Sequence, residues 1–159
     1  MSARAESLAK QFEGRAAELR DTIQQLTDAE WKKVTAAEKW SVGVTAHHAA
    51  GAHEAIADIV KAIATGQSLP GFTMAMFDEM NAKHAREHAN CTKEETLALH
   101  GKGAAAAAAR VRGLSDAELD RSGTVMAGMP AMTTQQVVEG ILINHVNEHL
   151  GTIRATVGR

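Results

Sequence analysis

The chain has 159 residues, of which 45% are hydrophobic and 23% charged, so we expect one domain, residues 1–159, built around a single core. Its net charge of −2 comes from interspersed acids and bases, which argues against a nucleic-acid partner, and no apolar run reaches the roughly 20 residues of a membrane span. Tyrosine is absent, alanine is abundant and phenylalanine occurs only 3 times, so the composition predicts an all-α protein.

Apolar spacing and capping residues predict four long helices, and hence a four-helix bundle. They cover about residues 2–26, 42–65, 92–111 and 133–158. Thr27 and Thr92 each precede a glutamate by three positions, the pattern of a capping box. Ser41 and Thr133 or Thr134 are further caps, and glycines 66 and 158 are placed to end helices.

The connections carry weaker signals. Residues 67–71 and 122–132 are predicted to be loops, and residues 72–89 to be partly helical. Trp40 is expected to plug one end of the core. An alanine run, 104–109, would let a neighbouring helix or a second subunit approach closely, or it could be simple helix filler.

The last helix places two histidines on an apolar stripe. Read as a continuous α-helix, its stripe is formed by Val138, Leu142, His145, His149 and Ile153. His145 and His149 are one turn apart, so both can reach one divalent ion from the same side of the helix. The alternative is a pair of core histidines that find hydrogen-bond partners.

The second helix offers a third ligand. Its predicted core stripe contains Val44, His48, Ala52, Ala55, Ile59 and Ile63. His47 falls about 100° away from His48, on a mostly polar side, so helical phase selects His48 as the inward histidine. Three histidines leave coordination positions open for water or substrate, and neutral imidazole suits Zn, Ni, Fe and Cu alike.

The other histidines are predicted to lie outside this site. His84 and His88 repeat the four-residue spacing, but they stand among charged residues and are predicted to lie on a solvated helix. His100 is expected at the surface, and His53 is about 140° from His48 and should not share its site. Cys91 is the single cysteine, which excludes an internal disulfide and fits a reducing cytoplasm.

Three segments resemble the DinB-like superfamily. The run 40–49, Trp-Ser-Val-Gly-Val-Thr-Ala-His-His-Ala, has Trp-Ser and then a histidine eight positions after the tryptophan, at His48. The run 145–153, His-Val-Asn-Glu-His-Leu-Gly-Thr-Ile, is similar to the last-helix signature of two histidines four apart. Phe77-Asp78-Glu79-Met80-Asn81 resembles the middle segment, where an Asp and an Asn commonly occur.

This resemblance implies a four-helix bundle with an unusual crossing connection, in which His48, His145 and His149 hold a divalent transition metal (Zn, Ni or Fe), often within a homodimer. Characterised relatives include bacillithiol- and mycothiol-dependent transferases and isomerases, whose metal is thought to activate a low-molecular-weight thiol. The chain departs from the pattern because His47 precedes the expected ligand, so a modest rotation of the helix would recruit His47 instead.

The leading hypothesis is therefore a cytoplasmic, metal-dependent thiol S-transferase that presents a thiol to a small electrophile. Asn144 and Glu148 are candidates for orienting the ligating histidines. A non-catalytic or stress-associated metal-binding dimer and a metal-dependent hydrolase are the alternatives. The sequence contains no legible Ser-His-Asp or Cys-His arrangement and no glycine-rich phosphate loop.

Overall fold

Four long helices form the body of the protein in a computed structural model that describes residues 2–69 and 71–159. Pro70, inside the predicted loop 67–71, lies outside the described residues. The elements are α1 (Ala3–Gln25), α2 (Asp28–Trp31), α3 (Val42–Ala64), α4 (Met74–Glu87), α5 (Lys93–Arg112), α6 (Asp116–Asp120), β1 (Ser122–Gly123), β2 (Met132–Thr133), α7 (Thr134–Val137), a π-helical segment (Val138–Ile143) and α8 (Asn144–Val157). The predicted all-α class is confirmed.

The bundle has a crossing connection. Helix α1 packs on α5 and α8, and α3 packs on the same two helices. Helices α1 and α3 are therefore diagonal neighbours, as are α5 and α8, so the chain crosses one end of the bundle between α1 and α3. It crosses again between α5 and the last helix. The core between the four helices contains Phe12, Leu19, Ile23, Val60, Leu142, Leu150 and Ile153, among other residues.

The predicted caps form as the sequence indicates. The side chains of Thr27 and Thr92 each accept a hydrogen bond from the backbone N–H three residues on, and the glutamate there accepts from the cap's own N–H. Thr133 makes the same reciprocal pair with Gln136. Gly158 ends α8 with a left-handed φ of 80°, which is the conformation that favours glycine.

The stretch 122–132 is not wholly a loop, because its two ends pair. Ser122 faces Thr133 and Gly123 faces Met132 in a two-stranded antiparallel ladder. The backbone N–H of Ala127 within it donates to the carbonyl of Phe72, just before α4. The stretch is thereby fixed at both ends and attached to the segment that leads into α4.

The predicted core stripe of α3 is rotated away from the observed one, although its members Val44 and Ile63 are buried as predicted. Its core side is formed by small residues and one histidine, namely Ala46, Ala49, His53, Ala57 and Val60. Ala55, predicted to be inward, is exposed. At about 100° per residue, His47 and His48 lie about 130° to either side of the core stripe, where α4 covers the helix. An alanine-rich helix gives little contrast between its faces, so the larger, partly buried Ile59 shifted the predicted stripe.

The last helix is not a continuous α-helix. Residues Val138–Ile143 form a π-helical segment, and α8 begins only at Asn144. Single π-helical turns insert an extra residue into a helix and are frequent beside functional sites. Here the π-helical turn immediately precedes His145. Within the described residues, every helix is too short or too polar to cross a lipid bilayer.

Candidate metal centre

Three histidine side chains converge at one end of the bundle. His48 comes from α3, and His145 and His149 come from α8. The Nε2 atom of His145 lies 3.1 Å from Nε2 of His48 and 3.1 Å from Nε2 of His149. Two imidazole nitrogens that each bind one ion at about 2.1 Å lie about 3.0 to 3.4 Å apart, for angles between octahedral and tetrahedral. Both separations therefore have the spacing that a shared transition metal requires, and one ring nitrogen from each of the three histidines lies within 4.8 Å of the other two.

Hydrogen bonding alone does not satisfy this cluster. A neutral imidazole has one N–H and one lone pair. If His145 carries its proton on Nε2, it can donate to His48 or to His149 but leaves the other contact unmatched. If the proton is on Nδ1, that N–H is buried and has no acceptor among residues 2–69 and 71–159. A cation that accepts all three Nε2 lone pairs removes the conflict at their meeting point, so the donor set fits a metal.

The histidines of this cluster are held in the neutral form that binds metals. Burial, with the nearby charges of His149 and His48, lowers the pKa of His145 to about 2. Burial lowers the pKa of His48 to about 4, and the His149 charge adds to the effect. The pKa of His149 is also lowered by burial to about 4. At neutral pH no proton competes for the three lone pairs.

Behind the ligand nitrogens, the expected orienting residues do not make the expected contacts. The Asn144 amide donates to the Glu148 carboxylate at 3.0 Å, so these two residues pair with each other. The Nδ1 atoms of His145 and His149 are buried and have no hydrogen-bond partner in the described part of the chain. Both imidazoles are therefore oriented by helix packing rather than by Asn144 or Glu148.

A cavity of about 410 Å³ opens above the three histidines. It is lined by Glu38, Trp40, His48, Asp78, Asn81, Ala82, His145, Glu148 and His149. Its size is that of a small-molecule site. Trp40 does not plug the core as predicted, because its half-buried ring lies 5.2 Å from the His48 ring and forms a wall of this cavity.

Carboxylates surround the mouth of the cavity. Glu38, Asp78 and Glu148 approach it from the segment before α3, from α4 and from α8. Burial and the charge of Glu148 raise the pKa of Glu38. Asp78 and Asn81 were indicated by the resemblance of the middle segment. Glu38 was missed, because a single glutamate in a connecting segment has no sequence pattern that marks it.

His47 does not join this cluster, and His84 and His88 are not solvated as predicted. Their three rings meet beside it, between α3 and α4, where Nδ1 of His47 lies 2.8 Å from Nε2 of His84. One ring nitrogen from each of the three lies within 4.8 Å of the others. The four-residue spacing of His84 and His88, identical to that of His145 and His149, was the signal in the sequence.

His100 is buried rather than at the surface, and it pairs with His53. Its Nε2 lies 2.8 Å from the carbonyl oxygen of Ala16, and its Nδ1 lies 2.9 Å from Nε2 of His53. Cys91 is half-buried, its thiol donates to the Gly43 carbonyl, and burial raises its pKa. A thiol in that state is a poor nucleophile.

Comparisons with known proteins agree with this architecture. A model of the DinB superfamily matches residues 11–153. The structure superposes on a mycothiol-dependent maleylpyruvate isomerase and on a histidine-to-alanine mutant of the same enzyme, each with a TM-score of 0.75 and 13% sequence identity. Each match covers 96% of this chain but only 63% of the isomerase. A search among curated protein sequences finds no match.

Proposed function

We propose that this chain, which belongs to the DinB superfamily, is a divalent-metal enzyme. It would activate a low-molecular-weight thiol and deliver it to a small electrophile. The observation that carries the proposal is the convergence of the Nε2 atoms of His48, His145 and His149 at the base of a cavity. The mycothiol-dependent isomerase, a structural neighbour at low identity, supports a thiol as the cosubstrate.

His48, His145 and His149 would hold Zn, Ni or Fe through one face, which leaves the face toward the cavity for substrate. A bound divalent ion would lower the pKa of a thiol there and so raise its thiolate fraction at neutral pH. Glu38, whose pKa is raised, is placed to accept the thiol proton. The Asn81 amide and the Asp78 carboxylate line the same wall and can hydrogen-bond to polar groups of a substrate.

The charge at the cavity mouth limits the kinds of substrate that the cavity would accept. Three carboxylates, Glu38, Asp78 and Glu148, contribute to its lining and no Lys or Arg does. Such a rim favours uncharged or cationic molecules over anionic ones. We therefore expect an uncharged thiol to be preferred to a polyanionic thiol.

We further propose that the protein acts in the cytoplasm as a homodimer. The chain has a single cysteine and so cannot form an internal disulfide, which supports a reducing compartment. Small residues on α5, namely Gly101, Ala105 and Ala109, form an exposed strip along a groove between α1 and α5. Sedimentation equilibrium of the wild type and of Ala105→Glu tests this assembly, and a monomer at every concentration would contradict it.

Cobalt substitution tests the proposed chemistry. The Co²⁺ protein is expected to show ligand-field bands, and addition of mycothiol, bacillithiol or glutathione should add a thiolate-to-metal charge-transfer band. His149→Ala should lose the thiol-induced band. Lys83→Ala, a change at an exposed residue of α4, should keep both signals and serves as the matched control.

The outcomes separate the alternatives. Cobalt binding without a charge-transfer band for any of the thiols would contradict the transferase hypothesis. A hydrolase would then be supported by turnover of ester or amide substrates at the same metal, with loss in His149→Ala. Metal binding without turnover of thiol-dependent or hydrolytic substrates would support a non-catalytic, stress-associated metal-binding dimer.

A further inference from the structure

The second histidine cluster, formed by His47, His84 and His88, has the composition of a metal site and lies outside the centre described above. His47 is on α3 and is 9% exposed, while His84 and His88 lie at the end of α4, four residues apart. A nitrogen of each ring lies within 4.8 Å of the other two. The cluster contains only imidazoles, which suit late first-row divalent metals.

Hydrogen bonds do not account for this cluster. Nδ1 of His47 and Nε2 of His84 are 2.8 Å apart and can share one proton between them. The other nitrogen of His84, Nδ1, is buried and has no partner among residues 2–69 and 71–159. Whichever nitrogen of His84 carries its proton, the described residues leave its Nδ1 without a hydrogen bond. A buried polar atom without a partner is unusual in a folded protein and sets this cluster apart from ordinary core histidines.

Helix α4 has little else that would hold it against α3. None of its residues, all of which the structure describes, is fully buried. Its methionines 74, 76 and 80 are 60%, 44% and 53% exposed. The imidazole ring of His88 stacks on His47 with centroids 4.1 Å apart, and the tilted ring of His84 lies 5.0 Å from His47. The histidine cluster is therefore the principal junction between the two helices.

We propose that His47, His84 and His88 bind a second divalent transition-metal ion, of the Zn²⁺, Ni²⁺ or Co²⁺ class, which ties α4 to α3. Helix α4 carries Asp78 and Asn81, which line the cavity above His48, His145 and His149. The ring centroids of His84 and His48 are 5.6 Å apart, so the two centres adjoin. Occupation of the second centre thus fixes one wall of the cavity above the first. The proposal does not depend on a thiol-transfer function.

Metal stoichiometry tests the proposal directly. Equilibrium dialysis against Zn²⁺ with elemental analysis should give two equivalents for the wild type. His88→Ala and His149→Ala should each keep one equivalent, and the double variant should keep none. Lys83→Ala should keep both equivalents. One equivalent in the wild type that is lost in His149→Ala and retained in His88→Ala would overturn the second site while leaving the first intact.

Hydrogen exchange of the α4 amides tests the tethering. In the wild type and in His149→Ala, Zn²⁺ at about ten times its dissociation constant should slow exchange over residues 74–87 about tenfold, because the ion binds only the docked helix. In His88→Ala the same addition should change nothing. If Zn²⁺ does not slow the exchange of the α4 amides in the wild type, the proposal that the ion ties α4 to α3 is overturned. Circular dichroism before dialysis identifies any variant that has lost its helices.

Discussion

Two histidine groups, each with one member on helix α3, show what separates a structural histidine from a candidate ligand. In the core, His53 and His100 form a closed chain of hydrogen bonds. A backbone carbonyl can only accept, so Nε2 of His100 must donate to the oxygen of Ala16, 2.8 Å away. Its Nδ1 is then the acceptor, and Nε2 of His53 donates to it at 2.9 Å. The backbone thus fixes the tautomers of both rings.

At the end of the bundle, His48, His145 and His149 show the opposite arrangement. The Nε2 atom of His145 lies 3.1 Å from those of His48 and His149, and no backbone carbonyl of the described residues settles which atom carries the proton. The Nδ1 atoms of His145 and His149 have no partner in the described residues. Burial alone therefore does not mark a histidine as a ligand, whereas a meeting of Nε2 atoms that hydrogen bonds cannot pair does.

Acid is expected to have the largest effect on stability, because it acts on both histidine groups. Burial is the main cause that lowers the pKa of His53 to about 3, of His145 to about 2, and of His48 and His149 to about 4. The unfolded chain, with histidine pKa values of about 6.5, binds more protons below that pH, so stability falls as the pH falls from 6.5 toward 4. Each such histidine contributes a slope of up to about 1.4 kcal/mol per pH unit.

Urea unfolding of the metal-free protein between pH 7.5 and 4.5 measures this effect. The midpoint should be constant above pH 7 and should decrease steeply below 6.5. A midpoint that stays constant down to pH 5 would show that these histidines can be protonated in the folded state. At pH 7.5, Zn²⁺ should raise the midpoint of the wild type, since the folded chain alone holds the assembled ligands.

Metal affinity should distinguish the two groups most sharply. His149→Ala removes one of three ligands, and we expect the affinity of the first centre for Zn²⁺ to fall by more than about 100-fold, beyond the usual cost of losing an outer partner. His100→Leu, in the closed pair, should leave that affinity unchanged. Competition with a chromophoric chelator measures both values. Equal losses in the two variants would mean that the proposed difference between the groups is wrong.

Without metal, the loss of stability should be larger for the His100 variant than for the His149 variant. His100→Leu keeps about the same volume but leaves the buried Nε2–H of His53 without an acceptor, and we expect a loss of about 2 kcal/mol in the free energy of unfolding. His149→Leu removes a group whose hydrogen bonds are already incomplete, so its cost should be below about 1 kcal/mol. Urea unfolding at pH 7.5 in the presence of a chelator compares them. A larger loss for His149→Leu would show that the first cluster is satisfied without an ion.

Much of the fold could be predicted from the sequence because its signals are local. The caps at Thr27, Thr92 and Thr133 depend on residues three positions apart, and the structure forms all three. The left-handed end at Gly158 also needs only its own backbone. The π-helical segment Val138–Ile143 could not be predicted, since it changes the helical period without any residue that marks the change.

The histidines show where prediction stopped. The juxtaposition of His145 and His149 follows from one helix, and His48 was reached through a helical phase that the structure corrects. The burial of His100 could not be inferred, because its partners His53 and Ala16 come from two other helices. His84 was expected in solvent for the same reason: only the tertiary packing of α4 on α3 covers it.

The smallest effect is expected behind the ligands, at Asn144. Asn144 is a candidate from the sequence for orienting a ligand, yet its amide donates to Glu148 on the exposed side of α8. Loss of a hydrogen bond that truly orients a ligating histidine lowers metal affinity about 10- to 100-fold. Asn144→Ala should therefore change the Zn²⁺ affinity of the first centre by less than about 3-fold, well below that range. A tenfold loss of Zn²⁺ affinity in the same chelator competition would mean that Asn144 turns toward the Nδ1 atoms when the ion is bound. The ligands of the first centre would then have hydrogen-bond partners at Nδ1, and the contrast with the His53–His100 pair would be smaller.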